Sequence, residues 1–153
     1  HVEQLISPLK QKVFIFSDEK FDGFFSLYDW HLQRGNNLGD KMYNAFDDIF
    51  NLGFDKISII GSDCFELTHQ IIENSFTQNE QVIIGPSVDG GYYLLGLTQN
   101  HPDIFDSIDW STEKVFSQTK RQLERLSMSF SILPTLTDID DEDDLHLFPL
   151  LSD

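Results

Sequence analysis

Residues 56–76 read KISIIGSDCFELTHQIIENSF, and the order of patterns in that stretch decides the fold class. "KISIIGSD" (Lys56 to Asp63) is a short apolar run closed by glycine and polar residues, the pattern of a buried strand emptying into a loop. "LTHQIIENSF" (Leu67 to Phe76) resumes at helical spacing, with Thr68 as the expected N-cap. A strand followed so closely by a helix is the unit from which parallel α/β sheets are built.

The alternation extends in both directions. Upstream, "KVFIFSD" (Lys12 to Asp18) reads as another buried strand, and the aromatic stretch "FDGFFSLYDWHLQRGNN" after it has no clear period. From Leu38 the residues Leu38, Met42, Ala45, Phe46, Ile49 and Phe50 recur at helical spacing, with Asn36 or Asn37 as cap and Gly53 just past the end. Downstream, "QVIIG" (Gln81 to Gly85) and "YYLLGL" (Tyr92 to Leu97) are a third and a fourth strand. A helix is expected over 112–126, capped by Ser111, with Trp110 and Val115 forming a hydrophobic staple. "SFSIL" (Ser129 to Leu133) reads as a last strand, and "TDIDDEDDL" after it places six acids at positions 138 to 144. No repeat and no Gly/Ser-rich linker interrupts the chain, so one domain over residues 1–153 is expected.

Composition narrows the function. The 153 residues carry 26 acids against 10 bases, a net charge of −16, which repels a nucleic-acid backbone and excludes nucleic acid as a partner. A phosphorylated small molecule is compatible with that charge if a divalent cation bridges carboxylates to phosphate. No apolar run approaches the roughly 18 residues a membrane span requires, so no membrane partner is expected. The single cysteine, Cys64, has no partner for an internal disulfide, and no basic, apolar leader opens the sequence; a reducing cytoplasm is the expected compartment. The first residue is His1 rather than Met, which suggests that N-terminal sequence is missing.

Four stretches could carry chemistry. Asp63 should stand just beyond the C-terminal end of a buried parallel strand, where open α/β sheets bind ligands; it could hold a cation or simply serve the turn. "GPSVDGGYYLLG" (Gly85 to Gly96) sets Asp89 before Gly90 and Gly91. Two adjacent glycines at a strand entrance are costly, so they mark either a tight turn or a close approach to a ligand. "LQRGNNLGDKM" (Leu32 to Met42) surrounds a helix start, which could receive an anionic group or be loop and cap alone. The acids Asp138 and Asp140 follow the last strand and could complete a cation site begun by Asp63, or lie on a solvated face. Cys64 reads as a small buried filler. The histidines His1, His31, His69, His101 and His146 lack metal-ligand spacing, which disfavours zinc.

Taken in order, "LQRGNNLGDKMYNAF", "IIGSDCFELT", "IIGPSVDGGYYLLGL", "FDSIDWST" and "TDIDDEDDL" resemble an uncharacterised glycosyltransferase-A-like family of the nucleotide-diphospho-sugar transferase superfamily, the selenodomain-associated transferases. The resemblance implies a three-layer α/β/α sandwich on a mostly parallel sheet. It also implies a nucleotide or nucleotide-sugar donor, a small-molecule acceptor, and a divalent cation, Mg²⁺ or Mn²⁺. By the same resemblance Asp63, Asp138 and Asp140 are the metal-side carboxylates. Gln33, Gly35, Leu38, Gly39, Lys41, Gly90, Gly91, Tyr92 and Trp110 surround nucleotide or substrate, and Asp89 acts on a hydroxyl or a metal-bound water.

The chain departs from that pattern at Phe65, where the family usually has proline, at Lys41, where it has arginine, and at Asp141, where threonine is frequent. Family members also begin a few dozen residues earlier, with a strand and a basic loop, so the domain is expected to be N-terminally incomplete. The expected activity is metal-dependent glycosyl or nucleotidyl transfer. The alternative is a non-catalytic nucleotide-sugar-binding or interaction module that retains the fold.

Overall fold

In a computed structural model of the chain, the structure describes residues 1–20 and 22–137. The elements are α1 (Val2–Ile6), β1 (Phe14–Ser17), β2 (Asp29–Leu32), α2 (Leu38–Phe50), β3 (Ile57–Ile60), α3 (His69–Thr77), β4 (Val82–Pro86), β5 (Tyr92–Leu97), α4 (Val115–Arg125) and β6 (Phe130–Ile132). Short 3₁₀ helices occupy Gly23–Leu27 and Pro102–Phe105.

Four strands form the central sheet in the order β3-β5-β4-β6. β3, β4 and β6 run the same way, and β5 is inserted antiparallel between β3 and β4. The reversal follows from chain length: β4 and β5 are joined by only the Ser87–Gly91 turn, too short for the crossover that parallel neighbours require. β1 pairs instead with β2, in parallel, as a separate two-stranded sheet. β2 was not expected from its sequence, because "DWHL" is only four residues long and lies in an aromatic stretch without a clear period.

Two apolar layers cover the sheet. On one face Leu5, Ile6, Leu67 and Ile72 meet Ile83, Tyr93 and Leu94. On the other, Met42 and Phe46 of α2, Ile104 of the 3₁₀ helix Pro102–Phe105 and Leu123 of α4 meet Val82, Ile84, Leu95 and Leu97. The expected three-layer α/β/α sandwich is the observed architecture. Each fully buried side chain of this kind contributes roughly 1.5–3 kcal/mol.

Helix ends follow the local chemistry. Asn37 caps α2, accepting from Asp40 N at 2.9 Å, and Thr68 caps α3, accepting from Ile71 N at 3.3 Å. At the other end of α3, Lys56 donates to the carbonyls of Phe76 and Gln78, and its partial burial lowers its pKa. Ser111 is not the cap of α4: it sits at φ +61°, and the helix starts three residues beyond the expected Thr112, at Val115, with Lys114 at the cap position. The hydroxyl of Thr112 instead ties the preceding turn, donating to Asp109 O and accepting from Lys114 N.

A bulge sets up the end of the sheet. The β4–β5 register shifts at Gly85/Pro86, so Tyr93 and Leu94 turn successively to the same face. The ring of Tyr93 then lies across Gly85, where a Cβ would stand 2.4 Å from it.

Candidate functional site

β3, β4 and β6 all end at the same edge of the sheet, the edge from which β5 starts. Gly61 extends the ladder by one bond, its N–H donating to Tyr93 O at 2.9 Å, and the chain then leaves the sheet at Ser62 and Asp63. Asp63 is exposed, and its carboxylate curls back over Gly61, where a Cβ would stand 2.8 Å from Oδ1. Glycine at position 61 is what gives the carboxylate that place. Cys64 is buried, and its thiol donates to Thr137 O at 3.7 Å, consistent with a small filler.

The turn between β4 and β5 lies at the same edge. Asp89 Oδ1 accepts from the Ser87 hydroxyl and from Gly91 N at 3.0 Å, an Asx-type closure that immobilises the carboxylate and leaves Oδ2 outside both bonds. Gly90 has φ +92°, and a Cβ there would stand 2.1 Å from Glu113 O; its own carbonyl accepts from Phe116 N at 2.8 Å. The close approach made by this glycine is therefore to the start of α4. Gly91 is looser, with the nearest atom to an added Cβ, Ser87 Oγ, at 3.3 Å. Tyr92 points its hydroxyl into the core toward Thr119, so that hydroxyl does not face a ligand at the sheet edge. Burial holds its pKa far above the ordinary value, with the Thr119 hydroxyl partly opposing the shift. Neither hydroxyl has a hydrogen-bond partner of normal geometry.

The stretch at the start of α2 is tightly folded. Gly35, at φ +143°, lets the chain press against Asp40 and Lys41, and Asn36 N donates to Asp40 Oδ2 at 3.1 Å. Gln33 N continues the β1–β2 ladder by donating to Ser17 O at 3.0 Å. Lys41 Nζ pairs with Asp18 at 3.2 Å and donates to Gln33 Oε1 at 3.4 Å, so its charge is already countered by a carboxylate at the end of β1. Leu38 is 46% exposed. Gly39 lies flat under Trp110, whose indole would stand 2.3 Å from a Cβ there. An open groove of about 320 Å³ adjoins this contact, lined by Gly39, Asp40, Tyr43, Asp103, Phe105 and Asp106.

Contacts link these segments into one path. Trp110 rests on Gly39, and three residues later Glu113 rests on Gly90; three residues span at most about 11 Å. After β6 the chain continues in the same direction beside the end of β4, with Leu136 bridged in parallel to Ser87, and forms a strap at the sheet edge. Tyr93 Oη donates to Pro134 O at 2.8 Å, Leu136 N donates to Pro86 O at 3.1 Å, and Val88 N donates to Leu136 O at 2.9 Å. The strap meets the Asp63 loop at Thr137, whose N–H donates to Glu66 Oε2 at 2.7 Å. Asp138 and Asp140 lie outside the described residues, but Asp138 is the next residue after this anchor.

Among the described residues no group of three or more His, Cys, Asp or Glu side chains is arranged to hold a metal. Asp63 supplies one exposed carboxylate, and hard oxygen donors of this type suit Mg²⁺ or Mn²⁺, which commonly take one or two carboxylates and complete their shell with substrate phosphates and water. Among the described residues no helix is long and apolar enough to cross a membrane. Sequence reasoning passed over Glu66, Tyr93, Ser87 and Asp18, each of which ties one of these segments to another. The "CFELT" spacing that sets Glu66 three residues after Asp63 was the only visible signal.

The fold is an α/β sandwich of the kind found in a solved structure described as a nucleotide-diphospho-sugar transferase. Residues 13–112 match the family described as an uncharacterized protein conserved in bacteria, DUF2064, and the chain belongs to that family. A solved structure from Desulfovibrio desulfuricans G20, described as a "putative nucleotide-diphospho-sugar transferase", is similar with a TM-score of 0.82 and 26% sequence identity. The similarity covers 91% of this chain and 65% of that one, so this chain spans less than two thirds of that protein's length. No curated protein matches the chain.

Proposed function

We propose that the protein is a metal-dependent transferase that uses a nucleotide-activated donor, moving a glycosyl or a nucleotidyl group to a small-molecule acceptor. The supporting observation is the contact path along one sheet edge, which joins the Asp63 loop, the Ser87–Gly91 turn, the start of α2 and the strap leading to Asp138. The order of those motifs is the ground for reading it as a transferase of the selenodomain-associated type.

In this reading Asp63, with Asp138 and Asp140, holds Mg²⁺ or Mn²⁺, and the cation neutralises charge on the donor's phosphates. Asp89, fixed through Oδ1, presents Oδ2 to an acceptor hydroxyl and orients or deprotonates it. Gln33, Gly35, Leu38, Gly39, Lys41 and Trp110 form the donor side. Lys41 reaches a phosphate only by exchanging its partner Asp18 for it, which the exposure of Asp18 permits. Gly90 and Gly91 shape the turn that presents Asp89, and Tyr92 anchors the strand behind it.

The test is a melting screen of the full-length protein against nucleoside-diphosphate sugars, with and without Mn²⁺, followed by an assay for nucleotide release. A ligand at a hundredfold excess over Kd stabilises by about 2.7 kcal/mol, an easily measured shift. Stabilisation that requires Mn²⁺ supports the proposal, and no shift with any donor under either condition overturns it. Binding without nucleotide release in the presence of acceptors would leave only the non-catalytic module.

A further inference from the structure

We propose that Ser87 is a positioning residue for Asp89, its hydroxyl fixing which oxygen of that carboxylate is offered to an acceptor. The inference rests on the transferase reading and deepens it, by naming what orients the group that meets the acceptor hydroxyl. Ser87 is 5% exposed, so its hydroxyl needs an acceptor within the protein, and Asp89 Oδ1 is that acceptor. The same oxygen accepts from Gly91 N at 3.0 Å, while Asp89 as a residue is exposed. Two donors on one carboxylate oxygen make charge-assisted bonds that resist rotation of the side chain, and Oδ2 is left outside both. The turn does not need this hydroxyl to close. Ser87 N donates to Gly91 O at 3.1 Å, Gly90 N to Ser87 O at 3.1 Å, Val88 N to Leu136 O at 2.9 Å and Phe116 N to Gly90 O at 2.8 Å. These backbone bonds fix the path of the chain, and what the hydroxyl adds is the orientation of one side chain. Its loss leaves no buried group unpaired, because Oδ1 belongs to an exposed residue and keeps Gly91 N.

Ser87→Ala removes the donor, Ser87→Thr keeps a hydroxyl on the same Cβ, and Asp89→Asn removes the charge being positioned. The experiment compares the three variants as full-length protein in nucleotide release from UDP-glucose, GDP-mannose and dTDP-glucose with glycerol as the acceptor hydroxyl. It also reads donor affinity from the ligand-induced melting shift, and the χ1 rotamer of Asp89 from NMR scalar couplings. Ser87→Ala is expected to average the Asp89 rotamer and slow nucleotide release about ten- to a hundredfold, the cost of a misplaced reacting group, with donor affinity unchanged. Its melting temperature should stay within roughly 2–4 °C of the parent, and Ser87→Thr should restore both rotamer and rate. Parent turnover per folded molecule in Ser87→Ala, or a Ser87→Thr variant that melts like the parent yet is as slow as Ser87→Ala, overturns the positioning role alone. Asp89→Asn as fast as the parent, or a parent that releases nucleotide from none of the three donors, overturns the role of Asp89 in transfer and the positioning role together.

Discussion

Gly90 lies against the backbone of Glu113 so closely that the two leave no room for a Cβ: the added atom would stand 2.1 Å from Glu113 O and 2.8 Å from its Cα. Backbone cannot yield as a flexible side chain does, and φ +92° adds strain for any L-residue. Gly90→Ala is therefore expected to destabilise the fold by roughly 2–4 kcal/mol. Gly91→Ala meets only the Ser87 hydroxyl at 3.3 Å and the Asp89 carboxylate at 3.4 Å. It should cost under about 1 kcal/mol while disturbing the Asx closure that fixes Asp89. Urea unfolding of the two variants side by side checks this, and equal losses would show that the asymmetry is absent.

The contrast between the two glycines shows what was legible in the sequence. The Asp-Gly-Gly pattern marked a place where a Cβ is obstructed, but not which body obstructs it, because Glu113 is brought there by tertiary packing of α4. Periodicity was sufficient for α2, and Tyr92–Leu97 was read with its observed limits, since an amphipathic face and a continuous apolar run are local properties. Ser111 misled because a serine before a helical pattern looks like a cap, whereas its positive φ makes it part of the turn before the helix. The pairing of β1 with β2 depends on which edges meet and leaves no local trace, whereas the reversal of β5 follows from the short connection between β4 and β5. Of the site, the carboxylates and glycines were visible as motifs; the residues that connect them, Glu66 and Tyr93, act across 71 and 41 residues of sequence, where no spacing rule reaches.

Gly39 and Trp110 make the second glycine-dependent contact. A Cβ at Gly39 would fall 2.3 Å from the indole, so Gly39→Ala must displace the ring. The ring also stacks on Phe105 with centroids 6.3 Å apart, and that contact would move with it. A loss of roughly 1–3 kcal/mol is expected, the usual cost of overpacking. Intrinsic fluorescence measured in a Trp30→Phe background, where Trp110 is the remaining indole, should shift to the red. An unshifted spectrum at unchanged stability would mean the ring does not rest on Gly39 in solution.

Tyr92 predicts an alkaline sensitivity. Its buried hydroxyl keeps its proton above the ordinary tyrosine pKa near 10, while the same group in the unfolded chain loses it. Above pH 10 the folded state thus binds more protons than the unfolded one, and stability falls as the pH rises. Tyr92→Phe removes this contribution. At pH 8 the variant should lie within about 1 kcal/mol of the parent, because the hydroxyl it removes has no normal hydrogen bond to lose. Between pH 10 and 11 the variant should lose less stability than the parent in denaturant titrations. Parallel losses would place the Tyr92 hydroxyl in contact with water.

Gly61 and Asp63 give the prediction that separates site from scaffold. An alanine Cβ at position 61 would meet Asp63 Oδ1 at 2.8 Å and little else, the next atoms being 4.0 Å away. Because the obstructing atom is the end of an exposed side chain, it can swing aside, and the fold should lose under about 1 kcal/mol. The carboxylate, however, leaves the place it occupies at the end of β3. Gly61→Ala should then weaken Mn²⁺-dependent stabilisation by nucleotide sugars nearly as much as Asp63→Asn, which removes the charge without changing the shape. Both variants should melt within a few degrees of the parent in the absence of metal. If Gly61→Ala binds Mn²⁺ and donor like the parent while Asp63→Asn does not, the carboxylate acts from another rotamer. If neither variant differs from a parent that does bind, Asp63 is a turn residue and the cation is held elsewhere.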